Sequence, residues 1–220
     1  MPDTKQGSGG LRRVRYVLWG LVILALGAIG WLKFGAPALE DMADAGTAAL
    51  GQGEYRLAAT DGGEFTAETL KGQPSAVFFG FTHCPDVCPT TLSELSQAMR
   101  DMGPLADQVQ VLFVSVDPQR DTPELLHSYV TGFDRRFAAL TGSAEAIART
   151  ARAYKVVYQQ VAGPVPADYT IDHSAGAYLY DPAGSLRVYV PYGSGAAVFR
   201  HDLTVLLGQT PPPLTATKAQ

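Results

Sequence analysis

The chain has 220 residues, a formal net charge of −4 at pH 7, 46% apolar and 17% charged residues; this suits one globular domain with appendages. The first forty residues hold five Lys/Arg and two Asp/Glu, which leaves 12 Lys/Arg against 19 Asp/Glu in the rest. A body that acidic lacks the basic footprint of a nucleic-acid binder, so no nucleic-acid partner is expected.

In chain order, the first element is Tyr16–Leu32, seventeen residues without a charge. At about 1.5 Å per helical residue it reaches about 26 Å, enough to cross a bilayer core. Lys5, Arg12, Arg13 and Arg15 precede it, so the positive-inside rule keeps the N-terminus cytoplasmic and exports the remainder. Trp19 and Trp31 sit near its two ends, as interfacial rings do. The rival reading is a cleaved signal peptide with an A-x-A site at Ala36-Pro37-Ala38; the length of the apolar run and the intervening Lys and Pro favour an anchor.

An Ala- and Gly-rich stretch then reads as a linker. Glu54–Thr66 predicts two short strands around Asp61-Gly62-Gly63. Ser75–Phe81 is a continuous apolar run, the pattern of a buried central strand, and Gln110–Val116 reads as a second buried strand. Pro89–Met102 has the helical apolar period, Thr122-Pro123 opens a second helix, and Ser143 caps an Ala-rich third that runs to Tyr154. Lys155–Val161 reads as a strand. Ala177–Tyr180 and Leu186–Val190 form a hairpin across Asp181-Pro182-Ala183-Gly184, and Ala196–Leu207 is a closing helix before a Pro-rich tail. Alternating strands and helices require a sheet covered by helices.

Only two cysteines occur, Cys84 and Cys88, in GFTHCPDVCPTTL. A staple closing so short a loop removes little entropy from the unfolded chain, so metal or redox chemistry is the better reading. The pair lies between a buried strand and a helix, at the sheet edge where ligands gather. Cys88, at the lip of the helix, is expected to be the stabilised thiolate. Two thiolates can hold a soft ion or close to a disulfide. A metal would need more. Of His83, His127, His173 and His201, the first should point away from Cys84, and the second and fourth fall in helices. His173, in TIDHSAGAYLY, lies just before a strand and after a Pro-rich excursion, a placement that favours a site residue over a plain loop histidine.

GFTHCPDVCPTTL, SVDPQRDTPE and DHSAGAYLYDPAG, in that order, resemble the SCO/SenC family of cytochrome oxidase assembly proteins over roughly residues 50–208. The resemblance implies an α/β, thioredoxin-like fold, a central mixed sheet flanked by helices, behind an N-terminal transmembrane helix. It implies one copper ion, Cu(I) or Cu(II), held by Cys84, Cys88 and His173. It further implies a part in maturing the binuclear copper site of cytochrome c oxidase subunit II, with other copper chaperones as further partners, at the inner membrane on the periplasmic side. The expected division is a cytoplasmic tail (1–15), an anchor (16–34), a linker (35–50), a thioredoxin-like copper-binding domain (51–208) and a disordered tail (209–220). Asp86, Asp117 and Arg120 are candidates for tuning the site from beside the ligands; the plainer reading of Asp117-Pro118 is a turn, with Asp121 or Thr122 as a helix cap. A metallochaperone is one reading. A thiol–disulfide oxidoreductase, with Cys84 attacking, Cys88 resolving and the pair forming a redox-active disulfide, is the other. A peroxidase is disfavoured, since residue 81 is Phe rather than Thr; zinc at the same three ligands stays open.

Overall fold

The computed structural model describes residues 8–34, 49–163, 168–212 and 214, with the backbone alone for 8–13 and 28–34. The expected linker (35–50) and C-terminal tail (209–220) fall largely outside the described residues. Two compact units result, Met1–Ala45 and Gly46–Gln220.

The first unit contains helix α1, Ser8–Phe34. The anchor expected at 16–34 lies within it, and its described side chains, 14–27, are exposed. Among the described residues no helix is long and apolar enough to cross a membrane.

The second unit is built on a seven-stranded mixed sheet. Its strands are β1 (Leu57–Ala59), β2 (Glu64–Phe65), β3 (Ser75–Gly80), β4 (Gln110–Ser115), β5 (Phe137–Thr141), β8 (Ala177–Tyr180) and β9 (Leu186–Val190), in the spatial order β2-β1-β5-β4-β3-β8-β9. β3 and β5 flank β4 in parallel, and β8 pairs antiparallel with β3. A separate antiparallel ribbon joins β6 (Tyr158–Ala162) to β7 (Tyr169–His173). Helices α2 (Val87–Met102), α3 (Pro123–Thr131), α4 (Ala144–Ala153) and α5 (Ala196–Leu206) complete the unit.

Alternation along β3 explains the layers. Val77, Phe79 and Phe81 enter one core with Ile147 of α4 and Tyr154, whereas Ala76 and Phe78 enter the other, with Leu92, Leu95 and Met99 of α2, Leu126 of α3 and Phe199 of α5. Since β3 is buried on both faces, its sequence is continuously apolar. Thr122 and Ser143 cap as expected: their hydroxyls accept from the Leu125 and Ala146 N–H groups, both at 3.2 Å.

Two strands escaped the sequence reading. β5 (FAALT) is short, and its partners β4 and β1 both lie more than twenty residues earlier, so no local turn signal announces it. β7 was expected to be loop, yet Tyr169, Ile171 and His173 alternate with Thr170 and Asp172 and pair with β6 in the register Tyr158↔His173 and Ala162↔Tyr169. β6 starts at Tyr158 rather than at Lys155, which has a left-handed φ of 53°.

Candidate metal centre

β3 ends at Gly80, and the chain turns through Thr82 and His83 to Cys84 before α2 begins. A Cβ on Gly80 would stand 2.6 Å from the Cys88 sulfur and 2.8 Å from the Phe113 ring. Glycine is therefore needed where the strand lets that sulfur approach its backbone. Asp121 braces the same loop. Its buried carboxylate accepts from the Thr82 N–H (3.1 Å), the Thr82 hydroxyl (2.5 Å) and the Ser115 hydroxyl (2.7 Å). Those three donors are what make a buried carboxylate tolerable. The loop carrying Cys84 is thus tied to the end of β4. Of the two capping candidates, Thr122 does the capping and Asp121 this bracing.

Cys88 is the second residue of α2 and fully buried; Cys84, in the loop, is half-buried, and both are free thiols. The Cys88 N–H donates to the Cys84 sulfur at 3.4 Å. The Cys88 thiol's hydrogen bond to Cys84, above all, brings the Cys84 thiol down to about 4; the His173 ring and the N–H groups of Cys88 and Asp86 add to this, against the opposing effect of burial. Cys88 moves the other way, raised by its bond to Cys84 and by burial. The stabilised thiolate is therefore Cys84, not Cys88 as expected from sequence. The free N–H groups at a helix start point back at the preceding loop, where the Cys84 sulfur sits, while the Cys88 side chain has already turned into the core.

His173 arrives from the ribbon. Its Nε2 lies 3.5 Å from the Cys88 sulfur, and its Nδ1 lies 3.0 Å from the Ser174 carbonyl oxygen. A carbonyl only accepts, so Nδ1 carries a proton, and Nε2 is the ring atom turned toward the sulfurs. The edges of Phe78 and Phe81 hold the ring, with centroids 6.2 and 5.9 Å away. The two sulfurs and one ring nitrogen all lie within 4.8 Å of one another, so Cys84, Cys88 and His173 could together hold a metal ion. Two thiolates and an imidazole suit copper or zinc and are poor for hard cations.

The other histidines stand apart. His83 is exposed and its Nδ1 bonds the Thr82 hydroxyl at 3.0 Å; His127 is exposed in α3, and His201 pairs with Asp202. Nor do the candidates beside the ligands join the group. Asp86 is exposed at the rim and accepts from the hydroxyls of Thr90 (3.4 Å) and Tyr192 (3.2 Å). Asp117 and Arg120 pair with each other at 2.5 Å and reach the ribbon at Tyr169. Gly80 and Tyr169 were not singled out from sequence, and Asp121 was named only as a helix cap; for Tyr169 a signal existed, since residues 169, 171 and 173 share one face of a strand.

Comparison with known proteins agrees with the geometry. The SCO1/SenC family model matches residues 43–208. The SCO2 homolog, mitochondrial, of Bos taurus is 38% identical over 191 residues, covering 84% of this chain and 71% of that protein. The structure of Bradyrhizobium japonicum ScoI with copper bound is similar with a TM-score of 0.66 at 39% identity, covering 72% of this chain and 99% of that one. Yeast Sco1 with copper bound has a TM-score of 0.66 at 29% identity, covering 78% and 96%. With the family model matching most of its length, this chain belongs to the SCO1/SenC family.

Proposed function

We propose that this chain is a membrane-anchored copper-binding metallochaperone that helps mature the binuclear copper site of cytochrome c oxidase subunit II, holding one Cu(I) or Cu(II) ion with Cys84, Cys88 and His173. The convergence of those three donors within 4.8 Å, with Nε2 of the histidine already turned toward the sulfurs, carries the reading. The copper-bound structures of similar chains support it. A three-donor site holds Cu(I) yet releases it by ligand exchange to an acceptor offering more ligands. The uncharged Tyr16–Leu32 run behind a basic N-terminus supports an anchor in the inner membrane with the second unit on the periplasmic side.

The second reading, a thiol–disulfide oxidoreductase, is favoured by one observation: the pair is asymmetric, with a half-buried, low-lying Cys84 thiol and a buried Cys88. In that chemistry the Cys84 thiolate attacks a target disulfide and releases one target thiolate. Cys88 then displaces the second, leaving a Cys84–Cys88 disulfide and a reduced target.

His173→Ala separates the two. Copper stoichiometry and affinity are measured on the purified full chain, and oxidase activity in cells that carry only the variant. Loss of stable Cu(II) binding together with loss of oxidase, rescued at raised copper, is expected for the metallochaperone, because excess metal bypasses a weakened carrier by mass action. Full oxidase activity at ordinary copper would overturn that reading and promote the reductase.

A further inference from the structure

His173 is delivered by the ribbon, and the ribbon belongs to no larger sheet. Most residues of β6 and β7 are exposed; Ile171 alone is buried. Beneath the ribbon, between β6, β7 and the Asp117-Pro118-Gln119 turn, lies a cavity of about 140 Å³. An element so lightly packed is free to shift, and a shift of an ångström at His173 would spoil a three-donor site. Something beyond Ile171 has to hold it.

The far end of β7 is held by one closed set of contacts. Arg120 Nε donates to Asp117 Oδ2 at 2.5 Å, and Arg120 Nη1 donates to the Tyr169 carbonyl at 2.8 Å. The guanidinium lies 3.6 Å from the centroid of the Tyr169 ring, and the Tyr169 hydroxyl donates to Asp117 Oδ1 at 2.7 Å. Both carboxylate oxygens are thus used, and the planar fork of arginine is required, since it binds a carboxylate, a carbonyl and a ring face at once. Asp117 is itself fixed where β4 ends, by its N–H to the Ser115 hydroxyl at 3.1 Å. The same guanidinium lies 5.7 Å from the centroid of Phe81, the ring whose edge holds His173. Tyr169 and His173 are four residues apart on one face of β7, with Ile171 between them.

Building on the copper reading above, we propose that Tyr169 is a positioning residue for the metal centre. Clamped by Arg120 and Asp117, it locks the ribbon to the end of β4 and so holds His173 Nε2 against the two sulfurs. It touches no metal; its effect passes along the strand.

The test is a double-mutant cycle on the full chain in detergent. Cu(II) affinity is measured by chelator competition, and the thiolate-to-Cu(II) absorption band is recorded, for wild type, Tyr169→Leu, His173→Ala and the double variant. Tyr169→Leu is expected to weaken Cu(II) binding by about 10–100-fold, the range usual for residues supporting metal ligands, and to alter the band. Adding Tyr169→Leu to His173→Ala should cost nothing more, because the clamp acts through that ligand. Tyr169→Phe, which keeps the ring against the guanidinium, should restore most of the affinity. Equal losses in both backgrounds, or no loss in either, would overturn the clamp. If His173→Ala itself leaves copper binding intact, the copper reading fails instead. The clamp is then judged in metal-free protein, where amide exchange of residues 169–173 should rise in Tyr169→Leu while β3 and β4 keep their protection; unchanged exchange at 169–173 overturns it. Should Tyr169→Leu fail to fold, Arg120→Lys serves in its place under the same criteria, since it keeps the charge beside Asp117 and loses the fork.

Discussion

At the scale of single residues, the two cysteines differ far more than their shared motif suggests. Cys84 receives the Cys88 hydrogen bonds and the N–H groups of the helix start, so its thiol falls to about 4; Cys88, buried and bonded to Cys84, moves up. Alkylation of the reduced, metal-free protein should therefore proceed at Cys84 at pH 6 and spare Cys88, with a rate midpoint far below the ordinary thiol value of about 8.5. Mass spectrometry after brief iodoacetamide treatment reads this directly, and a midpoint near the ordinary value would sink it. The sign of the linked stability follows. A thiol whose folded value lies below its unfolded one stabilises the fold fully above the unfolded value, and that contribution is lost as pH falls toward about 4. The stability difference between reduced wild type and Cys84→Ser should shrink in wild type's disfavour over that interval. The motif itself was legible, because its residue types name their chemistry. Which sulfur carries the charge was not, because that depends on where the helix begins relative to each.

At the scale of elements, α2 couples core packing to the site. Leu92, Leu95 and Met99 are fully buried on the face that also buries Cys88. Leu95→Ala should cost about 2–5 kcal/mol, as transfer and cavity terms add. Urea unfolding of the reduced protein measures it, and a cost under about 1 kcal/mol would show that the helix collapses onto the sheet freely. Helix positions were readable from apolar period and caps, β3 from its unbroken apolar run and β4 as a second buried strand. β5 and β7 were missed for different reasons. β5 owes its state to pairing with β4 on one side and β1 on the other. β7 does have a period of two, but it is short and its partner β6 lies across residues 163–168, so no tight-turn signature marks the hairpin.

At the scale of the whole chain, the two units call for separate tests. The uncharged run within α1 should keep the full chain in the membrane fraction, released by detergent and not by high salt, with the second unit open to protease from outside the cytoplasm. Recovery of a soluble species beginning at Leu39 would overturn the anchor. The amino-acid sequence by itself determined the family, the α/β alternation, the cysteine pair and the acidic balance of the body, since composition, period and a three-part motif are properties of the chain read in order. Placement favoured His173 over a plain loop histidine, and the resemblance named it as a ligand. Folding alone brought His173, 85 residues beyond Cys88, to 3.5 Å from its sulfur, turned Nδ1 onto the Ser174 carbonyl, and closed Asp117, Arg120 and Tyr169 into one cluster. Contacts of that sequence separation arise from how a sheet edge, a helix start and a ribbon pack together, and no local window of residues encodes the distance between them.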